Sequence, residues 1–346
     1  MRGYYSAAYL QELSQLAKRF GQNNFDLSTK FSLIVGTSTG AIVGAGLLAG
    51  LTPNQIMSFY EDNGEKIFPK QLPTKLIGLL LHPRRKLNQQ GDNALRDALI
   101  EAFGKTTLGE IFRTRRIAFA VPAVDATTHR GWVFKTPHNR DTNHRDDNCS
   151  LVDICLASSA APIYRSLAVV NESGDAGAKE MFVDGGLWAN NPVLVALSEA
   201  LRMTERDQQI EIFCLGTSPE IAGAVLNSDK PHWGLVEWRC GGKALELSLD
   251  AQAGVFEYLA NCFLPYLDRN VTITRFPQQV PSTAQAEFLG LDCSSEKSLN
   301  LMKQFASRAC DETNRIISND TREGNAIKSL LTNSHNPENQ FICKGD

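Results

Sequence analysis

Two hydrophobic periodicities share this chain. Over residues 5–19, YSAAYLQELSQLAKR puts Ala8, Leu10, Leu13, Leu16 and Ala17 at helical spacing, which predicts an amphipathic helix. Residues 32–35, SLIV, read as the end of a buried strand, and Gly36-Thr37-Ser38-Thr39-Gly40 follows as a turn. The small and apolar run at 41–49 then predicts a tightly packed helix. Thr52-Pro53 opens another, with an N-cap threonine and proline at the first helical position. Further along, 92–103 reads as a helix, 116–125 as a buried strand with a hairpin partner at 131–135, and 138–148 as a polar loop. Residues 151–161 predict a helix ended by Pro162. A strand at 180–183 runs into Asp184-Gly185-Gly186, a helix follows Asn191-Pro192, and 210–215 is a further strand. Alternating strands and helices predict an α/β layered sheet. From about Pro231 onward the pattern reads as mainly helical, with no strand-turn motif.

One stretch sits apart. Within 72–86 the apolar run Ile77-Gly78-Leu79-Leu80-Leu81 adjoins Arg84-Arg85-Lys86. It reads as a buried element with a charged end, or as a lid facing an anionic lipid surface.

Composition narrows the class. Of 346 residues, 42% are hydrophobic and 21% charged, enough for a real core. The net charge of −3 gives no global attraction to a nucleic-acid polymer. Eight cysteines lack any C-x-x-C pair and read as free thiols in a reducing compartment. The six histidines show no ligand spacing, so no metal and no cofactor are expected. No secretory leader and no membrane-spanning run is evident. The expected location is cytoplasmic, with peripheral contact at the inner membrane.

Candidate chemistry begins at Ser38. In a G-x-S-x-G turn between strand and helix the serine is strained and its hydroxyl stands above the sheet. Gly36 and Gly40 are read as removing side chains that would collide, and the helix N-terminus favours developing negative charge. The same residues also fit a plain tight turn. A base is needed. His232 and His335 lack the loop-after-strand setting of a triad histidine, and Asp184, at a strand end before two glycines, is the stronger candidate. A desolvated aspartate bonded to a serine can take its proton; a turn-capping aspartate is the alternative.

Taken together, GTSTG, LASSAAPIY at 156–164, DGGLWANNP at 184–192, CLGTS at 214–218 and the opening Arg2-Gly3 helix resemble the patatin-like phospholipase family over about residues 1–217. The resemblance implies a three-layer α/β/α fold with a central, mainly parallel sheet. It implies a catalytic core at 1–220 and a helical C-terminal region at 221–346 packed on it. It further implies a Ser38–Asp184 dyad that cleaves phospholipid esters through an acyl-serine. Arg2, Gly3, Gly36, Thr39 and Gly40 would form the oxyanion site and elbow, and Gly185, Gly186, Asn190 and Asn191 would support the aspartate loop. The chain opens at Met1-Arg2-Gly3, without the family's D-G-G-G segment and the strand before it. That predicts an open sheet edge or groove, with Gly3 and Thr39 as the remaining oxyanion donors.

Some bacterial members of this family are switched on by a cyclic dinucleotide in anti-phage defence. The resemblance therefore implies a membrane phospholipid substrate and a cyclic-dinucleotide activator, with self-association left open. Trp233, Trp238, the basic run at 84–86 and that at 113–116 could hold such a nucleotide, or be ordinary features of a helical cap. Competing readings are an esterase or thioesterase on small soluble esters, and a catalytically impaired nucleotide-binding effector.

Overall fold

A computed structural model describes residues 1–22, 25–69, 84–139, 142–171, 179–217, 232–234, 238, 242–290 and 292–332. The apolar run at 77–81 lies outside them, as do the side chains at 84–86. Helix α1 (Gly3–Arg19) is buried nearly all round over its first half and runs through the middle of the molecule. Strand β1 (Leu33–Val35) leads through the turn into α2 (Thr39–Leu48). In α3 (Pro53–Ile67), Thr52 and Gln55 form a reciprocal capping box, so the start is fixed where the sequence puts it. Next come α4 (Arg84–Phe103), α5 (Leu108–Arg115) and the hairpin β2 (Ala118–Asp125) and β3 (Arg130–Lys135). Helix α6 (Leu151–Ser158) stops short of Pro162. Strands β4 (Ala168–Asn171) and β5 (Lys179–Asp184) lead to α7 (Gly186–Ala189), α8 (Val193–Met203) and β6 (Ile210–Cys214). The remainder holds α9 (Gly242–Phe263), β7 (Val271–Arg275), α10 (Glu296–Ser318) and α11 (Arg322–Thr332).

The layered α/β/α reading agrees with this arrangement, with two corrections. The main sheet is mixed rather than mainly parallel: β1 pairs with β2 in parallel, whereas β3 and β5 pair with β2, and β4 with β5, antiparallel. The region after Pro231 is not strand-free, since β7 pairs in parallel with β6. Its sequence VTITR is four β-branched residues in a row, a strand signal in its own right.

The register on β2 explains how the site is built. Strand β3 takes one edge of β2 over 120–125. The other edge is shared by β1, opposite Ala118–Ala120, and β5, opposite Ala123–Asp125. Because β1 runs with β2 and β5 runs against it, their C-terminal ends meet across a short gap. Pro122 occupies that gap. A proline is tolerated in this buried strand because no neighbour there asks for its N–H.

Among the described residues, neither β1 nor β6 has a strand on its far edge. A groove of about 690 Å³ lies there, lined by Leu33 and Val35 on one side and Ile210, Ile212 and Cys214 on the other.

The C-terminal helices share the main core. Met302, Phe305 and Ala306 of α10 pack in the same cluster as Tyr5, Tyr9 and Leu13 of α1, and the buried Tyr9 hydroxyl meets Thr313 Oγ1 at 2.5 Å. Among the described residues no cysteine is in a disulfide, and five of the six are buried. No helix there is long and apolar enough to cross a membrane.

Candidate active site

Ser38 sits between β1 and α2 with φ 56° and ψ −121°, a backbone conformation that a residue with a side chain rarely adopts. Gly36 makes the turn feasible: a Cβ there would lie 2.3 Å from the Gly40 carbonyl oxygen. Gly40 does not share this role. A Cβ on it would meet open space, so the reading of both glycines as relieving collisions is corrected to Gly36 alone.

The Ser38 hydroxyl donates to Asp184 Oδ2 at 2.7 Å. The other carboxylate oxygen, Oδ1, accepts the Gly186 N–H at 2.7 Å. Both glycines after Asp184 are required by space. A Cβ on Gly185 would stand 2.1 Å from the Pro122 carbonyl oxygen, and one on Gly186 would stand 2.9 Å from Asp184 Oδ1. Asp184 is 7% exposed. Burial pushes its carboxyl pKa up to about 6, against the opposing pull of the Ser38 and Gly186 hydrogen bonds and the Arg165 charge. It is thus a carboxylate that is ionised at neutral pH and a stronger base than one in water.

The two halves of the site are tied together by groups that the motif reading passed over. Ser158, buried at the end of α6, accepts the Ser38 N–H at 2.8 Å and donates to the Pro122 carbonyl at 2.7 Å. Its own carbonyl accepts from Gly185 N–H, and the Ala160 carbonyl accepts from Asp184 N–H. The Thr37 hydroxyl donates to the Ala189 carbonyl at 2.7 Å. One helix end therefore holds the serine turn, the aspartate turn and the gap in β2 at once. Ser158→Ala is expected to cost about 1–3 kcal/mol, because it strands a buried N–H and a buried C=O. Turnover should fall with it, and Ser158→Thr should recover part of both. Urea denaturation alongside kcat checks this.

Gly3 and Thr39 stand against each other where α1 and α2 begin: a Cβ on Gly3 would be 3.0 Å from Thr39 Cβ and 2.2 Å from Tyr60 Oη. The first N–H groups of a helix have no partner within it, so these two helix starts present donors and positive dipole ends near Ser38. Arg2 is half-buried, and its Nε donates to the Leu289 carbonyl at 3.4 Å. Asn190 and Asn191 follow Asp184 on the same loop. Their side chains reach the carbonyls of Leu249 and Ala253, and the Gln252 side chain accepts Asn190 N–H at 3.0 Å, so they fasten α9 to the aspartate loop.

A pocket of about 120 Å³ opens over Ser38 and Asp184. Ile42, Tyr60, Phe68, Leu95, Leu245 and Leu249 give it an apolar wall suited to an acyl chain. Arg165, ion-paired to Asp92 at 3.2 Å, also lines it, but no described histidine does. His138 instead sits in a buried network with Thr136 and Glu199. Of the groups proposed for a nucleotide, several of those described have partners within the chain. Arg115 pairs with Asp26 at 2.9 Å, while Trp233 meets Trp238 edge-on and Lys243 lies over its ring. Among the described residues no cluster of histidine, cysteine and carboxylate could hold a metal.

A family model described as "Patatin-like phospholipase" matches residues 1–197. The chain is 32% identical over 262 residues to a cGAMP-activated phospholipase of Pseudomonas aeruginosa (strain BWHPSA011 / Pa011), covering 75% of this chain and 71% of that protein. It is 26% identical over 327 residues to a cGAMP-activated phospholipase of Vibrio cholerae serotype O1, covering 90% and 88%. A cUMP-AMP-activated phospholipase of Escherichia coli matches at 26% over 241 residues, 67% of each.

Proposed function

Since this chain belongs to the patatin-like phospholipase family, we propose that it hydrolyses phospholipid acyl esters with Ser38 as nucleophile and Asp184 as its base. The observation that carries this reading is the 2.7 Å hydrogen bond from Ser38 to a desolvated carboxylate at the floor of an apolar pocket. Asp184 takes the hydroxyl proton as Ser38 Oγ bonds to the ester carbon. The carbonyl oxygen gains negative charge near the helix starts of Gly3 and Thr39. When the ester C–O bond breaks, Asp184 returns the proton to the departing alcohol and an acyl-serine remains. Water then attacks the acyl carbon, giving its proton to Asp184. Fatty acid leaves, and the proton returns to Ser38. The apolar wall favours an acyl chain over a small polar ester.

Control by a cyclic nucleotide is the second part of the reading, supported by the names of three relatives and, through the resemblance, fitting a role in anti-phage defence. Addition of cGAMP should raise the melting temperature, because a ligand that binds only the folded state stabilises it. It should also switch on hydrolysis of a fluorogenic phospholipid. Turnover that is equal with and without cGAMP and cUMP-AMP, with no melting shift from either, would remove the regulatory half and leave the hydrolase. Loss of all turnover in Ser38→Ala tests the chemical half.

A further inference from the structure

Helix α9 has two unlike faces. The inner one supplies Leu245 and Leu249 to the pocket and packs on α7 and α8. At 100° per residue, positions 244, 247, 251, 254, 255 and 258 fall together on the opposite face. These are Ala, Leu, Ala, Gly, Val and Tyr, all exposed, with Leu247 at 59%, Val255 at 50% and Tyr258 at 67%. No charged side chain interrupts them from 244 to 258, about 21 Å of the helix. The acidic residues Glu246, Asp250 and Glu257 all lie along one flank, and Glu257 is held by Arg275 and Asn191. Past the helix end, Tyr266 is also exposed. At the pocket mouth, Leu187, three residues after Asp184, is exposed as well.

We propose that the outer face of α9 is the surface on which this protein docks onto a phospholipid bilayer. The inference rests on the phospholipase reading and names where that substrate is met. An exposed, uncharged strip of this length is unusual on a protein that faces only water. Its occupant follows from continuity: the same helix has its other side in the wall of the Ser38 pocket, and Leu187 extends the apolar surface at the mouth. A lipid leaving a docked bilayer then keeps its acyl chain against apolar side chains on its way to Ser38. Tyr258 and Tyr266 pair an apolar ring with a polar tip, as suits the headgroup level. The strip itself carries no cation, so docking is driven by apolar contact and does not require anionic lipid.

The test uses the full chain carrying Leu247→Asp and Val255→Asp together, neither of which lines the pocket. Binding to phosphatidylcholine vesicles is read by flotation in a Ser38→Ala background, with and without cGAMP, so it does not depend on turnover. Hydrolysis of the same vesicles is compared with that of a short-chain phosphatidylcholine held below its micelle concentration. The double variant should lose vesicle binding and vesicle hydrolysis by roughly tenfold or more while its turnover of dispersed lipid and its melting temperature hold. Three results would overturn the proposal: unchanged vesicle binding by the variant, no vesicle binding by the parent protein in either condition, or equal losses on vesicles and dispersed lipid. A parent dimer that the variant splits, with vesicle binding intact, would assign the face to a second copy instead. Failure of the parent protein on dispersed lipid would count against the hydrolase, and flotation would still decide the docking.

Discussion

Ser38→Ala is expected to lower phospholipid hydrolysis by on the order of 10⁴-fold or more, since removing a nucleophile abolishes the covalent route and leaves only binding and oxyanion stabilisation. The fold should hold. The side chain is half-buried at a turn, its hydroxyl makes one hydrogen bond, and no core contact depends on it. Alanine does not relieve the backbone, because it has the same difficulty with φ 56°. Glycine does. Strain at such a position costs about 1–3 kcal/mol, and glycine's extra unfolded-state freedom costs roughly 0.5–1 kcal/mol. Ser38→Gly should therefore melt at or above the temperature of Ser38→Ala while being equally inactive. Calorimetry on the two variants, beside turnover with a fluorogenic phospholipid, separates the chemical role of the hydroxyl from the strain of its backbone. A serine in an ordinary turn predicts the opposite pattern: turnover kept within about tenfold in both variants.

Local signals made much of the fold legible. The N-cap at Thr52, the apolar 32–35 run before a glycine turn, and the hairpin over 116–135 each depend on neighbours in sequence, and each stands where the sequence puts it. Non-local facts were not legible. Strand β4 is four residues on a sheet edge, too short to show a period. Strand β7 carries a β-branched signal that the surrounding helical pattern masks. The mixed sheet follows from β5 running against β2, and nothing in its own residues encodes direction. At the site, Ser38 and Asp184 each stood out because a glycine turn must isolate a reactive side chain. Ser158 did not, although it lies in a quoted motif, because a serine bridging residues 120 and 36 positions away looks like any buried serine. Gly40 errs the other way: the pattern includes it, and the space around it does not require it.

Asp184→Asn should be nearly as damaging as loss of the serine, and it yields a second readout. Asparagine matches the carboxylate in shape and can still accept the Gly186 N–H, so the loop stays in place, but it cannot take a proton. In the parent protein the working form is the carboxylate. With its pKa raised to about 6, turnover should climb as pH rises through that value and level off above it. Stability runs the other way. A carboxyl holds its proton to a higher pH in the folded state than the ordinary 3.9 of the unfolded chain, so folding is progressively disfavoured as pH rises from about 4 to about 6. Above that window the cost levels off at about 3 kcal/mol, taking 1.36 kcal/mol for each pKa unit. Asparagine carries no such cost. The variant should accordingly unfold at higher urea than the parent protein at pH 7.5, with the gap closing as pH falls toward 4. An inactive variant that is less stable at pH 7.5 would make Asp184 a structural cap. One that is active would pass the base to another group. A gain in stability matched to a loss of turnover is what a site gives when it keeps a charge out of water in order to use it.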